Sequence, residues 1–163
     1  MLHFGRKPPF SFEKFLLMCE QLIPEEDILT LKGISMSGEY RDAAANGALE
    51  KWRSFDTSLR NELVKIRAAR KRIDPLKYIR QGGYQEAYIA HVAMNAQRNP
   101  SPIESERILD LERWRMLDEF LFGHYFDMDA LTVYGLKLLI LEKWADINSA
   151  NKAATLDAAL QKA

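Results

Sequence analysis

The sequence predicts an all-α fold, a single-domain helical bundle of about six to eight helices. Three observations carry this reading. Apolar residues recur at steps of three and four through most of the chain. No stretch shows the sustained period-two alternation of β-branched residues, bounded by turns, that marks a strand. Helix punctuation also recurs, at Ser11, Pro24, Asp74-Pro75, Gly82-Gly83, Ser101-Pro102 and Gly123. With 163 residues, 47% of them hydrophobic, the chain can bury one good core but not two ordinary ones. The expected layout is an extended lead-in over 1–10, a helical domain over 11–148 and an alanine-rich tail helix over 149–163. The abrupt entry into the first helix reads as a trimmed N-terminus.

Taken in order, Ser11 N-caps a helix whose apolar side carries Phe12, Phe15, Leu16, Cys19 and Leu22. Pro24 ends that helix and opens a second. Glu25, Glu26 and Asp27 occupy its first turn, where the helix dipole favours negative charge, and Gly33 and Gly38 mark the exit. A long helix is expected over 39–72, with Leu49, Trp52, Phe55, Leu59, Leu63 and Ile66 on one face and Gly47 as a weak point. Asp74-Pro75 reads as a cap followed by a first-turn proline, so a helix is expected from there to Gly82-Gly83. Another follows over 84–97. Asn99-Pro100-Ser101-Pro102 then breaks the chain, and Ser101 with Glu104 has capping-box spacing at the head of a helix through Leu111, Trp114, Leu117 and Leu121. Gly123 suits a left-handed C-terminal position, and Asp127 or Asp129 suits the cap of the next helix. That helix carries two apolar stripes: Leu131, Tyr134, Leu138 and Leu141 on one, Val133, Leu136, Ile140 and Trp144 on the other. It is the expected centre of the domain. Its apolar stretch is interrupted by Lys137, Glu142 and Lys143 and falls short of the roughly 20 residues a bilayer core requires, so no direct membrane insertion is expected.

An internal echo links Leu49-Glu50-Lys51-Trp52-Arg53 to Leu111-Glu112-Arg113-Trp114-Arg115, with an aspartate (Asp56, Asp118) and a leucine (Leu59, Leu121) following in register. A shorter version returns at Leu141-Glu142-Lys143-Trp144. Either a helix has been duplicated, or packing a tryptophan with its N–H near the surface has been solved separately each time.

Charge excludes some classes. Basic and acidic side chains number 23 each, so no overall field draws the chain to a polyanion or a bilayer. The single cysteine, Cys19, permits no internal disulfide and no thiolate cluster, which fits a reducing compartment and a cytoplasmic location. Burial on the first helix would raise its thiol pKa and leave it unreactive. Two constellations remain. Asp118, Glu119, His124, Asp127 and Asp129 are candidates for a metal site or acid–base chemistry, and the alternative reading is a metal-dependent hydrolase built on this cluster. The same residue types also cap helices and complement their dipoles. Arg60, Lys65, Arg67, Arg70, Lys71 and Arg72 form a basic helix end, which reads either as a solvated face whose cations complement the helix dipole or as a dock for an acidic protein partner. Without interleaved aromatic residues it does not suggest nucleic-acid binding. No catalytic residue, resident metal or cofactor is expected, because no phosphate-cradling loop and no zinc-type histidine spacing is present.

The block Arg113-Trp114-Arg115-Met116-Leu117-Asp118-Glu119, continuing through Phe122-Gly123-His124-Tyr125-Phe126-Asp127 to Leu131, Tyr134, Lys137-Leu138 and Leu141-Glu142-Lys143-Trp144, resembles a bacterial family encoded among V/A-type ATP synthase subunits. Arg60-Asn61-Glu62-Leu63, Ile66-Arg67-Ala68-Ala69-Arg70 and Ser11-Phe12-Glu13-Lys14-Phe15-Leu16 also resemble it. The hydrophobic, tyrosine-bearing opening of that family is missing here. Members are sometimes labelled as counterparts of the C subunit, the helical cap between central shaft and rotor ring. The resemblance implies a structural or regulatory component without catalytic residues, partnered with V/A-type ATP synthase subunits and peripheral to the inner membrane through that complex.

Overall fold

A computed structural model of the chain describes residues 2–37, 47–83 and 86–160, with side chains as far as residue 151. The described residues form α1 (Phe12–Cys19), α2 (Glu25–Lys32), α3 (Gly47–Lys71), a 3-10 turn (Pro75–Lys77), α4 (Ala87–Arg98), α5 (Pro102–Phe120) and α6 (Met128–Leu160), with no strand among them. This is the all-α bundle that the apolar periodicity predicts.

Local chemistry sets most of the boundaries. Ser11 Oγ accepts from Lys14 N at 3.1 Å to start α1. Three acidic residues fill the first turn of α2 and Gly33 closes it. The expected start of the long helix over 39–46, and Gly38 before it, lie outside the described residues. Within them α3 runs from Gly47 to Lys71, and the φ of 55° at Arg72, just beyond it, places a non-glycine residue in the left-handed region. Ile73 N then reaches back to Ala68 O at 3.1 Å, closing a Schellman-type turn.

Two expectations about helix starts are corrected. Asp74 does cap, accepting from Leu76 N at 3.0 Å, but only one 3-10 turn follows where a helix to Gly82-Gly83 was expected. Leu76 and Tyr78 are exposed, so no apolar face exists to hold such a helix down. Asn61 of α3 instead grips the backbone of Arg80, accepting from its N–H at 2.9 Å and donating to its carbonyl at 3.0 Å. Gly83, at φ 91°, lies against α3 so closely that a Cβ would come within 2.7 Å of Ser58 Oγ. At α5 only half of the capping box forms. Ser101 Oγ accepts from Glu104 N at 3.3 Å, while Ser101 N donates to Asn99 Oδ1 at 2.9 Å and leaves nothing for Glu104 to return.

α6 is the centre of the bundle, packing against α1, α2, α3 and α5, while α3 also packs against α4 and α5. Its Val133, Leu136, Leu138, Ile140, Leu141 and Trp144 are buried with Trp52, Phe55 and Leu59 of α3, Ile89 of α4 and Leu117 of α5. Both apolar stripes meet the core because α6 has neighbours on most of its circumference. The alanine-rich segment from residue 149 continues α6 to Leu160 without a break.

The echo does not survive as an equivalence of environments. Leu49 and Leu141 are buried, whereas Leu111 is 53% exposed. Asp56 is fully buried, whereas its counterpart Asp118 is half exposed. Trp52 also departs from the expected surface N–H, since its Nε1 is buried with no acceptor among the described residues.

Candidate functional site

The basic run divides in four. Arg60 turns inward, donating from Nε to Asp56 at 2.6 Å and from Nη2 to Met36 O at 2.6 Å. Lys65 pairs along its own helix with Glu62 at 2.6 Å. Arg70 reaches across to the end of α4, where it donates to Gln97 O at 2.6 Å, a position the helix dipole favours for a cation. Arg67, Lys71 and Arg72 remain as exposed cations on the outer surface.

The acidic corner is used mainly to start helices. Asp127 Oδ1 accepts from Ala130 N at 2.9 Å, capping α6. Asp129 Oδ1 accepts from Ala48 N at 3.0 Å, so a residue of α6 caps the described start of α3, 81 positions away in sequence. The remaining oxygens turn toward His124, whose Nδ1 lies 2.7 Å from Asp127 Oδ2 and 3.6 Å from Asp129 Oδ2. The backbone bond from Ala130, reinforced by the bond to His124, holds the Asp127 carboxyl below the usual carboxylate range. Asp118 pairs with Lys137, whose ammonium lies 5.0 Å from the centre of the Trp114 ring, and Glu119 faces Arg115 at 4.0 Å on the surface. Among the described residues, no group of three or more His, Cys, Asp and Glu side chains is disposed to hold a metal ion. Cys19 is buried, and burial pushes its thiol up.

Sequence reasoning missed the main polar assembly. Where α3, α5 and α6 meet, Arg113 donates from Nε to Asp56 at 3.0 Å and from Nη1 to Asp110 at 2.8 Å. Asp110 also accepts from Lys143 at 2.8 Å and from the Trp144 indole at 3.0 Å, and Lys143 bonds Glu106 as well. Both aspartates are fully buried and Arg113 nearly so. Desolvation alone would lower the Arg113 pKa, but Asp56 and Asp110 outweigh it and keep the guanidinium charged. Asp110, Arg113 and Lys143 lie on the α5 and α6 faces that meet across the junction. Each, read alone, is an ordinary charged residue of an amphipathic helix, so only the spacing Glu106, Asp110, Arg113 on one face of α5 hinted at the assembly.

An apolar surface completes the inventory. Phe122, Tyr125 and Phe126 stand almost fully exposed on the α5–α6 corner. Beside them runs a groove of about 460 Å³ lined by Leu2, Phe10, Met18, Leu121, Leu131 and Tyr134, among others. Exposed aromatic rings grouped at one corner are the kind of patch that marks interaction surfaces. The model of a family described as "Protein of unknown function (DUF2764)" matches residues 86–156, which take in α4, α5 and most of α6. The chain is similar to that family over this span, which holds the α5–α6 corner and the α5 and α6 members of the ionic assembly. No curated protein and no solved structure matches the chain.

Proposed function

We propose that the chain is a non-catalytic structural or regulatory component that associates with a V/A-type ATP synthase by helical docking, peripheral to the membrane. The observation that carries the docking reading is the α5–α6 corner, with Phe122, Tyr125 and Phe126 exposed beside an apolar groove. Large rings held in water at one corner cost hydration free energy that burial against a partner recovers. Exposed Glu119 and Asp127 border the same corner, so the fitting occupant is a helix with an apolar face and basic flanks. No helix among the described residues is long and apolar enough to cross a membrane. The partner's identity rests on the resemblance to a family encoded among V/A-type ATP synthase subunits.

Co-purification tests the reading. A tagged chain isolated from its native cell in mild detergent is expected to bring down ATP synthase subunits identified by mass spectrometry. The pair Phe122→Ser and Phe126→Ser is expected to release them without unfolding the chain, because both side chains are already in solvent. Recovery of no ATP synthase subunit, or equal recovery by the double variant, would count against the partner or the surface respectively.

A further inference from the structure

Beside the ionic assembly lies a cavity of about 500 Å³ between α3, the loop after the 3-10 turn, α5 and α6. Its charged lining is Arg60, Arg67, Arg80, Glu106, Arg113 and Lys143. Five of these six side chains are cations. Two buried carboxylates behind the wall, Asp56 and Asp110, orient three of them: Asp56 holds Arg60 and Arg113, and Asp110 holds Arg113 and Lys143. These bonds use Nε and Nη2 of Arg60, and Nε and Nη1 of Arg113. Arg60 Nη1 and Arg113 Nη2 therefore have no acceptor among the described residues. Arg60, Arg113 and Lys143 are matched in number by Asp56, Asp110 and Glu106, and Arg67 at the mouth adds a cation with no acidic partner among the described residues.

We propose that this cavity binds a small ligand through a phosphoryl group. Fixed guanidinium groups are suited to phosphate oxygens because each presents a planar fork of donors that does not have to be ordered on binding. Several cations converging on one space suit a group with three acceptor oxygens better than a carboxylate, which one arginine satisfies. The volume is that of a small-molecule site and not of a flat helix-docking surface. The inference stands apart from the docking reading, whose surface is the α5–α6 corner.

The test is titration of the full chain with inorganic phosphate and with pyrophosphate at ionic strength held constant by sodium chloride, followed by 1H–15N correlation spectra. The Trp144 indole N–H is the built-in reporter, since it bonds the same Asp110 that holds Arg113 and Lys143. We expect a saturable shift of that signal while the Trp52 indole stays still. Charge reversal at the mouth, Arg67→Glu, should weaken binding by about tenfold or more, a loss read directly as the ratio of dissociation constants. Arg98→Glu, an exposed reversal outside the cavity, should leave it unchanged, and both variants should keep the far-UV spectrum of the parent. Absence of saturation by ~20 mM of either anion, or equal weakening in the two variants, would overturn the assignment.

Discussion

Arg113→Met tests the assembly at its centre. The substitution keeps most of the side chain's length and removes a guanidinium that is 5% exposed and touches Asp56 at 3.0 Å and Asp110 at 2.8 Å. Removing one partner from a buried ion pair costs about 3–5 kcal/mol, because the other charge stays buried. Here each aspartate keeps other contacts: Asp56 retains Arg60, and Asp110 retains Lys143 and the Trp144 indole. The cost therefore belongs at the lower end, about 3 kcal/mol, against a total of roughly 5–15 kcal/mol for a domain. At about 2–4 °C per kcal/mol for a chain of this size, the midpoint should fall by about 6–12 °C. Urea unfolding followed by far-UV circular dichroism measures the free energy, and avoids a fluorescence signal perturbed by the mutation beside Trp144. Asp56→Asn made in the Arg113→Met background should cost less than in the parent, with a coupling of about 0.5–3 kcal/mol. A loss below about 1 kcal/mol, or strict additivity of the two changes, would show that these charges do not act as one buried unit.

Three further outcomes follow from the backbone and the caps. Arg72 holds a left-handed conformation at φ 55° with its side chain in solvent, so Arg72→Gly should raise stability by roughly 0.4–1 kcal/mol, read from the urea midpoint. Gly83→Ala should do the reverse and cost about 1–3 kcal/mol: its φ is 91°, and the new methyl would come within 2.7 Å of Ser58 Oγ, which is itself bonded to Ser54 O. The folded-state pKa of Asp127 is depressed by the Ala130 N–H and by His124, so its contribution is complete above the unfolded value of about 3.9 and is lost as pH falls through the folded value. Asp127→Asn should therefore flatten the acid limb of the stability–pH curve below about pH 4, and an unchanged limb would remove Asp127 from the cap.

Apolar periodicity was enough to place the bundle and the central position of α6, and residue type placed the caps Ser11, Asp74 and Ser101 and narrowed the α6 cap to Asp127 or Asp129, because these signals lie within a few residues of each other along the chain. What was not legible is where the chain meets itself. Phe12 N at the head of α1 is satisfied by Glu142 of α6 at 2.9 Å, Ala48 N by Asp129 of α6, and the Gln97 carbonyl near the end of α4 by Arg70 of α3. Read along the sequence, Asp129 and Arg70 fall into an acidic cluster and a basic run. Across the fold, both are helix caps. The expected helix after Asp74 fails for the same reason. Its start signal is local and genuine, yet a helix of that length persists only if it buries a face, and Asn61 claims the backbone at Arg80 instead.

The position of the buried charges bears on what such a bundle needs. α6 is apolar on two faces, so packing alone would hold it in more than one rotation or register against α3 and α5. Directional bonds remove that freedom: Lys143 meets Asp110 and Glu106, the Trp144 indole meets Asp110, and Lys137 meets Asp118 over the Trp114 ring. Under the proposed docking role a fixed register would matter, because the α5–α6 corner is carried on these two helices and its rings present one surface only if the helices keep one angle. Replacing the set together, as Asp56→Leu, Asp110→Leu, Arg113→Met and Lys143→Met, separates register from stability. We expect a protein of equal or higher unfolding free energy, since apolar side chains of similar volume often replace a buried ionic group without loss. We also expect its amide spectrum to show doubled or broadened signals along α6. A single sharp set of signals in that variant would mean that shape complementarity alone fixes α6, leaving Asp56 and Asp110 to orient the cations that line the cavity.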